Sequence, residues 1–174
     1  MGSAYATAEL ATPLGVLRMA ATEKGLVRVG LPRTTGAGFE GGLEAAIHGS
    51  IRVRRLDILD EARRELEEYF AGRRRGFSVE LDLRGTPFQC AVWRALVEIP
   101  FGRTCSYAEI ARVVGNPRAL RAVGAANAAN PLPIVVPCHR VIAADGGLGG
   151  YSGGLDVKRW LLAHEKAIAP ESLL

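Results

Sequence analysis

Ile134-Val135-Val136-Pro137-Cys138-His139-Arg140-Val141-Ile142 sets an apolar run directly against a cysteine and a histidine. The first three residues read as a short buried strand. Pro137 has no N–H to donate and a fixed φ, so regular pairing should end there. Cys138 is therefore expected at a rigid position at the end of a core strand, its thiol facing a pocket. A thiol of ordinary pKa, about 8.5, is only a few per cent thiolate at neutral pH. It needs a proton acceptor, and His139 is the adjacent one, acting directly or through one water because neighbours in an extended chain point apart. An isolated Cys-His pair is more often a structural cysteine beside a satisfied histidine. The flanking sequence argues otherwise.

Upstream of this run the chain reads as helical and well punctuated. Thr86-Pro87-Phe88-Gln89 is a capping box with Pro at the first helical position, opening a helix that should run to about Ile99, before Pro100. Ser106-Tyr107-Ala108-Glu109 is a second capping box, opening a short helix that ends near Gly115. Asn116-Pro117 restarts the chain as a third helix from Arg118 to about Ala128. Two short helices about a Gly-Asn-Pro turn predict a helix-turn-helix, a DNA-binding unit. The third helix carries Ala119, Ala122, Gly124, Ala125, Ala126, Ala128 and Ala129 and has almost no bulk. Such a helix suits either tight packing on a neighbour or entry into a narrow groove, with Arg118, Arg121 and Asn127 supplying reach. Arg118, Arg121 and Ala125 are spaced to share one helical face.

The first half reads as a small α/β unit. Apolar runs at Leu14 to Ala20 and Leu26 to Leu31, about a turn at Thr22-Glu23-Lys24-Gly25, predict a hairpin. Gly36 to Gly42 reads as a surface loop and Ile51-Arg52-Val53-Arg54 as a strand. Leu59, Ala62, Leu66, Tyr69 and Phe70 recur at helical spacing, with Gly72 placed to end the helix. Arg73-Arg74-Arg75 reads as a solvated turn, and Phe77, Val79, Leu81 and Leu83 alternate as a strand leading to a boundary near Arg84-Gly85. Nothing in this half carries chemistry by itself.

Composition bounds the rest. A chain of 174 residues holds one large or two small domains. The net charge is +4, and residues 99–160 alone carry seven basic side chains against three acids, an excess equal to the whole. That local positive field favours a polyanion such as nucleic acid. Cys90, Cys105 and Cys138 are an odd number without paired spacing, so a reducing interior is expected rather than a disulfide framework, and a metal site is not. No signal segment is expected at Met1 to Thr12, and no apolar stretch approaches a membrane span. There is no Walker loop and no dinucleotide fingerprint.

Gly85-Thr86-Pro87-Phe88-Gln89, Val92-Trp93, Ile99-Pro100-Phe101-Gly102, Ser106-Tyr107 and Arg121-Ala122-Val123-Gly124 follow one another in a specific order. They continue through Asn130-Pro131, Pro137 to Ile142, Gly150-Tyr151-Ser152-Gly153-Gly154 and Trp160-Leu161-Leu162 to Glu165. In order and spacing this resembles the active-site domain of the O6-alkylguanine-DNA alkyltransferases, while residues 1–84 resemble the N-terminal domain more loosely. The resemblance implies an α/β chain of two small domains. Residues 1–84 would be an α/β, ribonuclease-H-like domain, and residues 85–174 a mainly helical domain with a winged-helix-like helix-turn-helix.

The same resemblance implies a function, direct-reversal DNA repair, and roles for particular residues. Cys138 would take the alkyl group of O6-alkylguanine in double-stranded DNA, with O4-alkylthymine open as a second substrate. His139 would be its base and Glu165 would orient His139. Tyr107 would help turn the nucleotide out and, with the Ser152 N–H, donate to the leaving guanine. The carbonyls of Cys138 and Val141 would hold the guanine amine, Pro133 and Tyr151 would contact the alkyl group, and Asn130 would tie the recognition helix to the cysteine segment. Arg118, Arg121, Ala122, Ala125 and Asn127 would meet the minor groove, Arg121 filling the gap left by the flipped base. Minor-groove readout is degenerate, which suits a protein that must find damage in any sequence. The thioether product has no evident route back, so each molecule should act once, without a cofactor. A cytoplasmic protein is implied, with no obligate protein partner and with self-association on DNA left open. Two other readings remain at this point: a Cys-His-Glu hydrolase, which leaves the helix-turn-helix unexplained, and a non-enzymatic lesion binder, which leaves Cys138 unexplained.

Overall fold

Three antiparallel strands begin the chain, β1 (Ala4–Thr12), β2 (Gly15–Thr22) and β3 (Gly25–Gly30), with β2 and β3 forming the hairpin expected about Thr22 to Gly25. The computed structural model describes residues 3–33 and 37–166. They divide into two compact units, Met1–Arg84 and Gly85–Leu174.

In the first unit β1 had no sequence counterpart, because its inward positions are marked only by Ala6 and Leu10, and alanine gives a weak alternating signal. A short parallel strand β4 (Ile51–Arg52) completes the order β3-β2-β1-β4, shorter than the four residues expected. Gly36 to Gly42 is not a surface loop: Gly36 lies outside the described residues, and the rest forms a π-helical turn (Ala37–Gly41) running into α1 (Gly42–Ala46). Phe39 and Leu43 seal Ala20 and Val27 on the sheet, and burying that apolar cluster is what draws the segment inward. On the sheet packs α2 (Asp57–Phe70), burying Leu59, Ala62, Leu66 and Tyr69, and Gly72 follows it in a left-handed conformation (φ 75°).

The strand expected at Phe77 to Leu83 is reduced to one bridge between Leu26 and Leu81. The backbone N–H groups of Ser78 and Val79, which a ladder would need, are instead donated to the buried carboxylate of Glu65 at 3.0 and 3.1 Å. Arg74 also departs from a solvated turn: its guanidinium donates to Glu68 at 2.7 Å and lies 3.4 Å from Glu65.

The second unit opens with α3 (Pro87–Val97), α4 (Tyr107–Val113) and α5 (Leu120–Ala128). Both expected capping boxes form: Thr86 with Gln89, and Ser106 with Glu109, each pairing side chain to backbone in both directions. The indole N–H of Trp93 on α3 donates to the Ala126 carbonyl on α5 at 2.8 Å, with Val123 and Ala126 buried between the helices. The inward face of α5 is thus small for packing, while Arg121, Ala122, Ala125 and Ala128 stay exposed on the other. Arg118 is not on this helix, because Ala119 has a non-helical ψ of 35° and α5 starts at Leu120.

Ile134 to Val136 is not a strand. Ile134 takes a left-handed φ of 75°, and Pro133 bridges to Val136 across a tight turn. The Asn130 side chain holds that turn, donating to the Val136 carbonyl at 2.8 Å and accepting from the Leu132 N–H at 2.9 Å. Cys138–Arg140 then forms a single 3-10 turn rather than extended chain. A parallel pair, β5 (Cys105–Ser106) and β6 (Val141–Ile142), sets the start of α4 beside that turn. Finally α6 (Leu155–His164) buries Val157, Lys158, Leu161 and Leu162 and delivers Glu165 as its C-cap.

Candidate active site

Cys138 opens the 3-10 turn with only 2% of its surface exposed. Burial pushes its thiol pKa up, and side-chain hydrogen bonds from Asn130 and Tyr151 and the charge of Lys158 offset this in part. The resting group is a thiol, so a base is required.

His139 is fully buried on the same turn and its Nε2 lies 2.7 Å from Glu165 Oε1. Burial drives the His139 pKa down, and Glu165 opposes this as a hydrogen-bond partner and a charge. The Glu165 carboxyl is depressed well below the carboxylate range: burial alone would raise it, but hydrogen bonds and charge from His139 and Arg140 prevail. An ionised carboxylate accepts only, so the neutral ring donates Nε2–H to it and keeps the Nδ1 lone pair. Among the described residues Nδ1 has no protein partner. It is the nitrogen that can take a proton.

Two cations that the sequence reading counted as outward charge are internal. Arg140 donates through Nε to Glu165 Oε2 (2.8 Å), through Nη2 to Oε1 (2.9 Å) and through Nη1 to the Ile99 carbonyl (2.6 Å). Lys158 is buried on α6 and its ammonium donates to the carbonyls of Val141 (2.6 Å), Leu148 and Gly150 (3.3 Å). Burial pulls the Lys158 pKa down to about 8. Both were missed as site residues. The signal for Lys158 was its spacing, since residues 158, 161, 162 and 165 fall on one apolar helical face.

Beside the turn lies a cleft of about 270 Å³ lined by Tyr107, Gly124, Asn127, Ala128, Gly150, Tyr151 and Ser152. Tyr107 reaches it from the first turn of α4 and packs against Gly149, where a Cβ would come within 3.0 Å of the phenol oxygen at a left-handed φ of 68°. Burial raises the Tyr107 pKa, and the charge of a Cys138 thiolate adds to it. Its hydroxyl is therefore a firm proton holder and a donor. Pro133 is buried beneath its bridge to Val136, outside that lining. The Val141 carbonyl, already accepting from Lys158, keeps one lone pair for another donor.

Asn127 corrects the sequence reading. It is not on the outer face of α5 with Arg121; only 4% exposed, it donates from Nδ2 to the Cys138 carbonyl at a long 3.4 Å. It lies with Val123 and Ala126 on the buried side of α5, the side on which Trp93 donates to the Ala126 carbonyl. Arg118, Arg121, Ala122 and Ala125 are exposed, Arg118 on the turn between α4 and α5. A larger cleft in the first unit, about 430 Å³, includes Arg18, Arg52, Glu9 and Glu40 in its lining but no thiol or histidine.

Both units match known domains. Residues 4–83 match the ribonuclease-like domain of 6-O-methylguanine DNA methyltransferase, and residues 87–167 its DNA-binding domain. A methylated-DNA–protein-cysteine methyltransferase of Methanosarcina acetivorans is 46% identical over 154 residues, covering 88% of this chain and 94% of its own. The constitutive enzyme of Bacillus subtilis is 45% identical over 163 residues, covering 93% and 94%. A crystal structure of Mycobacterium tuberculosis OGT in complex with DNA superposes with a TM-score of 0.79 at 43% identity, covering 98% of this chain and 97% of that one.

Proposed function

The chain belongs to the 6-O-methylguanine DNA methyltransferase family, and with it to the DNA-binding methylated-DNA–protein-cysteine methyltransferases, and we propose that it carries the alkyl group of O6-alkylguanine in duplex DNA irreversibly to its own Cys138. The observation behind this assignment is the buried thiol whose neighbour His139 is oriented at 2.7 Å by an ionised carboxylate, with Nδ1 left to accept a proton.

DNA is met by the exposed face of α5, where Arg121 stands among small side chains that let the backbone come close to a groove. The reacting carbon lies on a base edge inside the duplex, so the nucleotide turns out, at a cost of a few kcal/mol. Arg121 fills its place, and Tyr107 and Ser152 line the cleft that receives the base. The thiol proton passes to His139 Nδ1 through a bridging water. The sulfur lone pair then forms the S–C bond as the C–O bond breaks in line, and that electron pair goes to the guanine. The Tyr107 hydroxyl and Ser152 N–H donate to the charge that develops there, and the proton taken up by His139 passes on through water to the guanine, so that the base leaves neutral and the ring is neutral again. Asn127, held against the Cys138 carbonyl, is a wall of the cleft rather than a DNA contact.

The Cys138 product is a thioether, and none of the groups described here can expel its alkyl group. One molecule repairs one lesion. The three cysteines are free thiols, which fits a reducing, cytoplasmic setting, and among the described residues no helix is long and apolar enough to cross a membrane. The test is the intact mass after mixing with a duplex carrying one O6-methylguanine. A gain of one methyl, mapped to Cys138, is expected. Tight lesion binding with unchanged mass would instead make the protein a non-enzymatic lesion binder.

A further inference from the structure

Ile99-Pro100-Phe101-Gly102 belongs to the pattern that marks this family, yet the chemistry above gives it no task. In the structure it is the seat of Arg140. The Ile99 carbonyl accepts from Nη1 at 2.6 Å, and the guanidinium carbon lies 5.8 Å from the Phe101 ring centroid. Gly102, at a left-handed φ of 76°, lets the chain pass so near Glu165 that a Cβ would sit 3.1 Å from its carbonyl oxygen. Thus the loop, the cysteine turn and the end of α6 converge on one guanidinium.

That guanidinium forks onto the same carboxylate that holds His139. Glu165 Oε1 accepts from both His139 and Arg140, and Oε2 from Arg140. A buried carboxylate facing a histidine alone would stabilise the imidazolium, and the ring would hold its proton before any substrate arrived. With Arg140 in place the carboxylate charge is already balanced.

We infer that Arg140 is a positioning residue for alkyl transfer: it neutralises Glu165 and fixes its rotamer, so that Glu165 orients His139 as a neutral base instead of protonating it. The inference rests on His139 being the base proposed above. The groups acting on His139 are Glu165 and Lys158 from α6 and its cap, and Arg140 beside it. Of these Glu165 favours the imidazolium, whereas Arg140, Lys158 and burial oppose it. Imidazolium therefore forms only as the thiol proton moves: S–H breaks, Nδ1–H forms, and the negative charge that balances it passes from the sulfur to the leaving guanine as the S–C bond forms and the C–O bond breaks.

The test follows the full-length protein as wild type, Arg140→Gln and Arg140→Lys. His139 is titrated by side-chain NMR, and the single-turnover rate on an O6-methylguanine duplex is recorded against pH. Arg140→Gln is expected to move the His139 titration and the acid limb of the rate profile upward together by about one pH unit. That is about a tenfold loss of rate below both limbs, with the high-pH rate nearly kept. Arg140→Lys retains the charge and is expected to hold the limb where the wild type has it. An unmoved or lowered His139 titration in Arg140→Gln overturns the inference, as does an equal displacement in Arg140→Lys. Should Arg140→Gln not fold, the position of the limb in Arg140→Lys decides alone. The NMR titration needs no DNA, so it stands even if wild-type protein gains no methyl, a result that would sink the transfer reading instead.

Discussion

Cys138 and His139 are both displaced from their ordinary titration ranges, and the displacements have opposite signs. Between a lowered histidine and a raised thiol, the resting site is neutral and the proton moves internally, so the single-turnover rate should be flat across neutral pH. It should fall only where His139 takes a proton from solvent, below the usual 6.5; a rate that already climbs steeply from pH 7 to pH 8 would show that the thiolate forms without His139. Cys138→Ser should keep DNA affinity and lose transfer outright, measured by gel shift and intact mass; methyl uptake by that variant would put the acceptor elsewhere. Glu165→Gln removes the carboxylate that pairs the buried Arg140 guanidinium and accepts from the neutral His139 ring, and should cost about 3–5 kcal/mol of stability in denaturant unfolding. The wild-type contribution has a definite pH window. The Glu165 carboxyl is depressed in the fold, so its stabilisation is complete above the unfolded value near 4.5 and is lost as pH falls through the folded one. The stability gap between wild type and Glu165→Gln should therefore be constant at neutral pH and narrow only under acid.

The helices were legible in the sequence because their ends are written in side chains: Thr86 with Gln89, Ser106 with Glu109, Pro100 and Gly115 each mark a boundary that needs no tertiary information. The hairpin of β2 and β3 was legible too, from the turn between its apolar runs, but two other strand-like segments were not. Ile134 to Val136 is apolar because it is buried, not because it pairs, and composition cannot separate the two. Phe77 to Leu83 alternates like a strand, but its N–H groups go to a glutamate on α2 that no local pattern announces. In the candidate site, motif position singled out Cys138, His139 and Glu165, which the fold brings together, whereas the inward turn of Asn127 and the internal cations depend on packing between helices far apart in the chain. α5 and α6 make separate predictions. Arg121→Ala, on the exposed face of α5, should slow repair of duplex lesions far more than reaction with a free O6-benzylated base. Equal losses would remove its role in holding the nucleotide out. Lys158→Met empties the tie from α6 to the carbonyls of Val141, Leu148 and Gly150. Amide exchange should quicken in residues 146–154 with α6 unchanged, and the wild-type loop should loosen in the same way as pH rises past about 8, where Lys158 deprotonates.

Charge and stability are properties of the assembled chain. With Arg140 and Lys158 turned inward, the basic side chains of residues 99–160 left for a polyanion are Arg103, Arg112, Arg118 and Arg121, all exposed, and the partly exposed Arg159. Each phosphate neutralised by such a group adds about 0.9 to the slope of log affinity against log salt. Transfer to Cys138 should change the balance of the fold itself. Cys138 is 2% exposed, and Leu132, Ile134, Val136 and Val141 on either side of it in the chain are all buried, so an alkyl group on its sulfur adds volume to a closely packed segment. Well-packed interiors resist added volume, and an extra methyl forces side chains off their preferred rotamers at about 1–3 kcal/mol. The spent protein should therefore unfold several degrees below the unspent one, at about 2–4 °C per kcal/mol for a chain of this size. The comparison is a thermal unfolding scan before and after stoichiometric reaction with O6-methylguanine DNA and removal of the duplex. A larger benzyl group on the same sulfur should lower the transition further, because the lost packing scales with the volume forced into the turn. Equal transitions for free, methylated and benzylated protein would mean that the alkyl group projects into the open cleft between Tyr107 and Tyr151, and that the buried turn does not feel it.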